Sequence, residues 1–373
     1  MMRRLFACLL LFPLLALADA PPPPPIAAKA WLLMDYQTGQ IIVEHNADER
    51  LEPASLTKLM TAYLVAQALE KKQIQPDQVV PVSVNAWKAG GSRMFIEPRK
   101  PVTVEQLLYG VIVQSGNDAT IALAELLGGS EEVFAQMMNR EAQRLGMRNT
   151  RFANSTGWPD PNHYSTARDL ARLTATIIRE FPQHYALYAT REYRYNNINQ
   201  LNRNRLLWLD PYVDGVKTGH TESAGYCLIA SAKRGDRRLI SVVMGTASEA
   251  ARAQESLKLL NYGFQFYDSV LLYRKGQTVS TLPVWKGARD TVNAGPREDL
   301  YLTLPRGDAE KLKAELVSQQ PLIAPIAAGT EVGTVRVTLD GKPVGEYPVV
   351  ALDNVPQAGF FGRIWDTIRL WLK

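Results

Sequence analysis

The spacing of hydrophobic residues changes twice in the first two thirds of the chain. Two short apolar runs, 31–36 and 40–45, lie on either side of Gln37-Thr38-Gly39, a combination that predicts a β-hairpin. From Ser55 to about Arg179 the apolar residues recur with the spacing of amphipathic helices. Strand-like runs return only after that region. The pattern therefore predicts a sheet that is interrupted by a helical insertion.

The returning strands are predicted at 225–232 and 239–244, and a helical pattern follows as far as Phe266. A sheet that is left and rejoined in this way is typical of one α+β domain, with an antiparallel sheet and a helical subdomain. We assign residues 28–267 to this domain.

Beyond residue 268 the pattern changes to short alternating runs, which are typical of strands with one buried face. Two of these runs meet at Asp340-Gly341, a frequent hairpin turn. The pattern predicts a small all-β domain over 268–355. It carries no cluster of catalytic residue types, so we expect it to act as a spacer, with a partner-binding surface as the alternative.

The first residues have the composition of a secretory signal. Arg3 and Arg4 precede an apolar run, and Ala16-Leu17-Ala18 is a small-x-small cleavage site. We predict a signal peptide over 1–18 and an extended, Pro-rich spacer over 19–27. The mature chain is therefore expected to be exported.

Residues 356–373 predict an amphipathic helix at the other end of the chain. This segment is shorter than the roughly 20 residues that span a bilayer, so we expect it to lie in the membrane interface. Packing against its own protein is the alternative. On a helical wheel the apolar side holds Phe361, Ile364, Trp365, Ile368, Trp371 and Leu372, and the charged side holds Arg363, Asp366, Arg369 and Lys373.

Charge and composition argue against several classes of function. The formal net charge is +5, and loss of Arg3 and Arg4 leaves +3, too little to indicate nucleic-acid binding. The four histidines are dispersed, so we expect neither a metal site nor a cofactor. Without Cys8 of the signal peptide, Cys227 is the one cysteine left, and its apolar neighbours predict a buried side chain rather than a nucleophile.

Three short motifs stand in one order along the chain: Ser55-Leu56-Thr57-Lys58, Ser115-Gly116-Asn117 and Lys217-Thr218-Gly219-His220-Thr221. The first two patterns each occur by chance about once in a chain of this length. In this order and together with Lys-Thr-Gly, they are the signature of penicillin-recognising serine acyltransferases.

The spacing of the first motif has a chemical reason. Ser55 and Lys58 are three residues apart in a predicted helix, so they lie on the same face, one turn apart. A serine hydroxyl is a weak nucleophile until a neighbouring base takes its proton. We predict Ser55 as the nucleophile and Lys58 as a candidate general base. The resemblance to the serine acyltransferases that the motifs indicate implies Lys217 as the alternative base.

The chain resembles the low-molecular-mass penicillin-binding proteins of the D-alanyl-D-alanine carboxypeptidase type, over its whole predicted mature length. The matching stretches extend beyond the motifs, to 53–60, 114–119, 200–204 and 214–221. The resemblance implies a transpeptidase/β-lactamase-like fold, a second all-β domain and a membrane-binding C-terminal helix. It also implies peptidoglycan pentapeptide stems as substrates and β-lactams as covalent ligands.

The resemblance further implies roles for the other motif residues. Ser115 would relay a proton to the departing amine, and the backbone N–H groups of Ser55 and His220 would stabilise the oxyanion. Substrate-binding roles, at the amide, the carboxylate or along the strand that approaches the substrate, fall to Asn117, Arg203, Lys217, Thr218, Gly219 and His220.

The expected activity is removal of the terminal D-alanine through a Ser55 acyl-enzyme, on the periplasmic face of the bacterial cytoplasmic membrane. Alternatives are a β-lactamase-like, D,D-endopeptidase or transpeptidase activity, and a non-catalytic wall-binding protein. The sequence lacks the Glu-x-x-Leu-Asn run of one major β-lactamase class, and it keeps every motif residue, which disfavours a non-catalytic role.

Overall fold

A computed structural model of the chain describes residues 20–372, so the predicted signal peptide lies outside the described residues. The helices are α1 (Lys58–Glu70), α2 (Val84–Trp87), α3 (Val104–Tyr109), α4 (Asn117–Gly128), α5 (Glu131–Arg144), α6 (Ala167–Glu180), α7 (Pro182–Tyr185), α8 (Leu206–Leu209), α9 (Glu249–Phe266) and α10 (Phe360–Trp371). The strands are β1 (Ala30–Asp35), β2 (Ile41–His45), β3 (Glu192–Tyr195), β4 (Ile198–Leu201), β5 (Val213–Thr221), β6 (Gly225–Arg234), β7 (Arg237–Thr246), β8 (Tyr267–Tyr273), β9 (Ser280–Trp285), β10 (Thr291–Gly295), β11 (Leu300–Pro305), β12 (Leu312–Ser318), β13 (Leu322–Ile323), β14 (Glu331–Leu339) and β15 (Lys342–Ala351).

Residues 30–266 are built on a five-stranded antiparallel sheet with the order β2-β1-β7-β6-β5. Successive residues of a strand point to opposite faces, and both faces of this sheet are covered. Leu32 and Ile240 pack with α1 and α6 on one side, whereas Leu33 and Leu239 pack with α9 on the other. The predicted α+β architecture is confirmed.

Local sequence explains where the helices between β2 and β5 begin and end. The side chains of Ser130 and Thr166 cap the first turns of α5 and α6 by accepting backbone N–H groups. Helix α4 ends at Gly128, and Gly129 follows with φ of +75°, the left-handed conformation that terminates many helices. This helical region packs on the sheet and walls one side of a cleft.

The predicted helix start at Ser55 differs from the structure in one respect. Ser55 lies in a 3₁₀ turn, Ala54–Thr57, and α1 begins at Lys58. A 3₁₀ turn has three residues per turn, so residues three apart lie directly above one another. The Ser55 and Lys58 side chains therefore still meet.

Residues 267–351 form a separate β structure with its own core. It contains a six-stranded sheet, in the order β12-β14-β15-β10-β9-β13, and the β8-β11 pair. Asp340 and Gly341 have φ of +48° and +79° and close the predicted hairpin between β14 and β15. Val292, Val335 and Val349 are buried in its core. The predicted all-β fold is confirmed.

Polar contacts join the α+β domain to the β structure that follows it. The Asp35 carboxylate is fully buried and accepts a hydrogen bond from Arg237 Nε at 3.1 Å. The same Nε lies 3.0 Å from Ser269 Oγ on β8. Thr38 and Thr303 also share a hydrogen bond between their hydroxyl groups, at 2.7 Å.

Helix α10 turns its apolar side chains outward and its polar side toward the β structure. Phe361 and Trp371 are 85% and 88% exposed. Asp366 accepts a hydrogen bond from the Lys286 backbone N–H at 2.6 Å, and the Arg369 guanidinium lies over the Trp285 ring. Among residues 20–372, no helix has the length and apolarity needed to cross a bilayer.

Candidate active site

The first motif forms a close lysine–serine pair at the floor of a cleft of about 280 Å³. Lys58 Nζ lies 2.7 Å from Ser55 Oγ and donates a second hydrogen bond, of 2.8 Å, to the Thr156 carbonyl. Lys58 is almost completely buried, whereas Ser55 lines the cleft. The hydroxyl is thus accessible to a substrate while the amine beneath it is not.

The second and third motifs form another such pair. Lys217 on β5 donates hydrogen bonds to Ser115 Oγ at 2.7 Å and to the Thr218 carbonyl at 3.0 Å. Ser115 follows a π-helical turn, Gly110–Gln114, and has φ of +63° and ψ of +37°. This left-handed conformation is uncommon for a residue with a side chain, and such residues cluster at functional sites.

Burial and neighbouring cations lower the pKa of both lysines. Desolvation, assisted by Arg203, lowers the pKa of Lys58 to about 7, although Asp118 and Glu131 oppose the shift. Desolvation also lowers the pKa of Lys217 well below its usual value, and Lys58 and Arg203 add to that shift. A large fraction of the Lys58 amine is therefore neutral near pH 7, as a proton acceptor must be, and the surroundings of Lys217 likewise favour its neutral form.

Strand β5 runs beside the Ser55 turn because Gly219 has no side chain. A Cβ atom on Gly219 would lie 2.9 Å from the Pro53 carbonyl oxygen and 3.3 Å from Ala54 Cβ. Thr218 and Gly219 both line the cleft. The glycine thus lets the strand approach the nucleophile turn closely.

Asn117 and Asp118 hold the opposite rim. Asn117 Nδ2 donates to the Gly90 carbonyl at 2.7 Å, and the Asn117 backbone N–H donates to the Ser92 carbonyl at 2.7 Å. The buried Asp118 carboxylate accepts three further backbone N–H groups, those of residues 94–96. The second motif therefore fixes the loop that forms this rim.

Arg203 and His220 reach the cleft from its solvent side. Both side chains are exposed. Arg203 Nε donates to the Gln114 carbonyl at 3.2 Å, and the His220 ring stacks on Tyr226 with 4.0 Å between ring centroids. All nine motif residues singled out from the sequence thus lie in or against one cleft.

Cys227 is fully buried on β6, opposite Gly219, and desolvation raises its pKa to about 11. A thiol that is buried and protonated is a poor nucleophile. Within residues 20–372, no group of three or more His, Cys, Asp or Glu side chains is placed to hold a metal ion.

Comparison with known sequences and structures supports the site described above. The sequence profile of the family described as "D-alanyl-D-alanine carboxypeptidase" matches residues 17–248, and that of "Penicillin-binding protein 5, C-terminal domain" matches residues 267–357. The chain belongs to the D-alanyl-D-alanine carboxypeptidase family.

Relatives and solved structures extend the match to nearly the whole chain. The chain is 45% identical to D-alanyl-D-alanine carboxypeptidase DacC of Escherichia coli K12, over 93% of this chain and 89% of the relative, and 42% identical to DacA of the same strain, over 93% and 88%. The crystal structure of penicillin binding protein 5 from Haemophilus influenzae is 40% identical and superposes with a TM-score of 0.88, covering 90% of this chain and all of that one.

Several residues of this carboxypeptidase-family site lie outside the motifs. Arg252 on α9 is buried and donates to the Gly219 carbonyl at 3.3 Å, and Glu249 lies beside it at the cleft wall. The Thr156 carbonyl, which accepts from Lys58, sits on a turn organised by the Asn154 side chain. The polar run Asn154-Ser155-Thr156-Gly157 is the sequence signal that could have indicated that turn.

Proposed function

We propose that this protein is a serine-type D-Ala-D-Ala carboxypeptidase that removes the terminal D-alanine from peptidoglycan pentapeptide stems and is acylated by β-lactams. The observation that carries the proposal is the 2.7 Å contact between the buried Lys58 amine and the cleft-lining Ser55 hydroxyl. A nucleophile and a base within hydrogen-bonding distance are the minimum that acyl transfer needs.

Ser55 attacks the carbonyl carbon of the penultimate D-alanine while neutral Lys58 takes its proton. The Thr156 carbonyl accepts a hydrogen bond from the same amine and so orients it toward Ser55. Since the pKa of Lys58 is lowered to about 7, the protonated lysine can also return its proton later in the cycle. Backbone N–H groups of Ser55 and His220 stabilise the oxyanion.

Ser115 and Lys217 serve the leaving group. Ser115 Oγ accepts a hydrogen bond from Lys217 Nζ. It gives its hydroxyl proton to the departing amine, and the proton that Lys58 took from Ser55 replaces it. Asn117 binds the amide of the acyl part of the substrate with its side chain. Water then attacks the ester carbonyl, releases the shortened peptide and restores Ser55.

The substrate carboxylate binds at the end of the cleft where cations converge. Thr218 offers a hydroxyl, and Lys217 lies next to it. Burial and neighbouring cations lower the pKa of Lys217, and the guanidinium groups of Arg203 and Arg252, which also line the cleft, supply positive charge there. A free C-terminal carboxylate is thus recognised beside the scissile bond, as a carboxypeptidase requires.

Two measurements on the full chain test this function. Native protein should release D-alanine from a pentapeptide that ends in D-Ala-D-Ala, and intact-mass spectrometry should show one covalent penicillin adduct. Ser55→Ala should show neither. A stoichiometric adduct on Ser55→Ala would place the nucleophile elsewhere, and an adduct without D-alanine release would contradict the carboxypeptidase activity.

We also propose that the protein is exported and attached to the periplasmic face of the cytoplasmic membrane through α10. The exposed apolar side chains of this helix support interfacial binding, and its contacts with the β structure use the polar side instead. Deleting the residues after Val355 should abolish partitioning onto anionic vesicles and leave penicillin acylation unchanged. Continued co-sedimentation of the truncated protein would contradict the anchor.

A further inference from the structure

His163 is a buried histidine that has no part in the mechanism described above. Its side chain is 3% exposed and lies edge-to-face with the Phe152 ring, with 5.7 Å between ring centroids. Desolvation is the largest cause that lowers the pKa of its imidazole, to about 4, so the ring is neutral at pH 7. A neutral imidazole has one nitrogen that donates a hydrogen bond and one that accepts.

Both ring nitrogens of His163 have partners, and the partners belong to two different segments of the chain. His163 Nδ1 accepts a hydrogen bond from the Ala153 backbone N–H at 3.1 Å. Nε2 therefore carries the ring proton and donates a hydrogen bond to Thr57 Oγ1 at 2.7 Å. The imidazole thus bridges the segment that follows Ala153 to the 3₁₀ turn Ala54–Thr57.

Each of these two segments supports the first lysine–serine pair. Thr57 lies between Ser55 and Lys58 at the end of the 3₁₀ turn. The other segment carries the Thr156 carbonyl, which accepts a hydrogen bond of 2.8 Å from Lys58 Nζ. The imidazole therefore joins the turn of the nucleophile to the segment that orients the base.

The same two segments are in direct contact at Gly157. A Cβ atom on Gly157 would overlap the Ala54 carbonyl and lie 2.9 Å from Thr57 Oγ1, the atom that accepts from His163. Gly157 also has φ of +87°, which residues with a side chain seldom adopt. Since the segments pack without clearance, a displacement of one is transmitted to the other.

We propose that His163 is a positioning residue for acyl transfer. By bridging the two segments, it keeps both the Ser55 hydroxyl and the Thr156 carbonyl within hydrogen-bonding distance of the Lys58 amine. This inference rests on the proposed function and adds to it a residue outside the three motifs. His163 does not line the cleft, so its loss should slow the chemical step without weakening ligand binding.

The first test is His163→Ala in the full chain. Because both hydrogen bonds of the bridge are lost, the rate constant of acylation at saturating penicillin should fall by on the order of 10²-fold. The penicillin concentration that gives half the maximal rate should change by less than about twofold. Intact-mass spectrometry at the end of the reaction measures the fraction of active protein.

His184→Ala is the matched control for loss of a histidine side chain. His184 Nε2 lies 3.6 Å from the Glu70 carboxylate, and this histidine does not line the cleft. Its removal should leave the acylation rate constant within about twofold of native. A slowdown equal to that of His163→Ala would show that the bridge has no special role.

Two conservative variants separate the two hydrogen bonds of the bridge. The amide of Asn lies as many bonds from Cβ as Nδ1 does, so His163→Asn can still accept from the Ala153 N–H. The amide of Gln matches Nε2 in the same way, so His163→Gln can still donate to Thr57. Each variant should react within about tenfold of native, which is faster than His163→Ala. A side chain that only filled space would not give this rescue.

Thr57→Val tests whether His163 acts through the turn of the nucleophile. In otherwise native protein this substitution removes the acceptor of the Nε2 hydrogen bond and should slow acylation about tenfold. In His163→Asn the same hydrogen bond is already absent, so adding Thr57→Val should change the rate by less than about twofold. Equal slowing in both backgrounds would contradict the bridge.

Failure of this inference is distinguishable from failure of the proposed function. His163→Ala protein that reacts at the native rate would overturn the inference alone, whether all of it or only a folded fraction forms the adduct. If His163→Ala does not fold, native rates in both His163→Asn and His163→Gln would overturn it. Native protein that gives neither a penicillin adduct nor D-alanine would contradict the proposed function and the inference together.

Discussion

The two lysine–serine pairs of the cleft have the same hydrogen-bond length and different surroundings. Lys58 and Ser55 lie 2.7 Å apart, as do Lys217 and Ser115. Both serines line the cleft, but Ser55 lies in a 3₁₀ turn, whereas Ser115 is almost fully buried in a left-handed conformation. In the proposed mechanism these similar contacts have two different roles, one at the reacting carbon and one in proton delivery to the leaving group.

The charges around the two amines also differ. The carboxylates of Asp118 and Glu131 partly offset the effect of Arg203 on Lys58. The charged groups that act on Lys217 are the cations Lys58, Arg203 and Arg252, and their repulsion adds to the effect of desolvation in lowering its pKa. The comparison indicates that Lys58 is poised to gain and lose a proton near neutral pH, while the surroundings of Lys217 disfavour its protonated form.

The largest effect is expected from removing the amine of the first pair. Lys58→Ala should slow penicillin acylation by on the order of 10³-fold or more, because Ser55 then has no base. Stopped-flow measurement of acylation tests this. Lys58→Arg, which keeps a charge but cannot accept a proton, is the control and should be similarly slow. Near-native acylation of the Lys58→Ala protein would contradict this role and would assign the general base to Lys217.

A smaller effect on the acylation rate is expected from a substitution in the Lys217–Ser115 pair. Ser115→Ala should lower the acylation rate by on the order of 10²-fold, since proton delivery to the leaving nitrogen is lost while nucleophile and base remain. The adduct should still form at full stoichiometry in intact-mass spectra on long incubation. Complete absence of that adduct would show that Ser115 acts at the bond-forming step itself.

The close approach between β5 and the first pair is tested by Gly219→Ala. The new Cβ would lie 2.9 Å from the Pro53 carbonyl oxygen, so either the strand or the Ser55 turn has to move. We expect a loss of roughly 1–3 kcal/mol in the free energy of unfolding and about tenfold slower acylation. Urea denaturation and acylation kinetics measure the two effects. Unchanged values for both would contradict the packing described for this turn.

The smallest effect on acylation is expected from a substitution of Cys227, which lies on β6 opposite Gly219 of β5. Cys227→Ser should leave the acylation rate within about twofold of native, because the thiol is buried and takes no part in either pair. A stability loss of roughly 1–2 kcal/mol is expected from burying a hydroxyl. A folded Cys227→Ser protein that cannot be acylated would contradict this interpretation.

The sequence predicted the parts of the site that depend on local spacing. Ser55 and Lys58 are one turn apart, and the strands predicted at 225–232 and 239–244 lie within β6 and β7. The alternating runs likewise predicted the β structure that follows α9. These features follow from short-range periodicity, which the chain carries in its own residue order.

Other parts of the site depend on contacts between distant segments. Thr156 lies 98 residues from the lysine that its carbonyl orients, and Arg252 reaches Gly219 across 33 residues. A backbone carbonyl has no residue type to recognise, and one arginine among many gives no signal. The left-handed conformation of Ser115 was equally hidden, because a serine seldom adopts it.

The pH dependence of penicillin acylation tests the central claim most directly, namely that the amine of Lys58 is the base and titrates near neutral pH. Protonation removes the base, so the acylation rate of native protein should rise about tenfold per pH unit below neutrality and level off above the Lys58 pKa of about 7. A rate that continues to rise as far as pH 10, the range of an ordinary lysine, would contradict the claim.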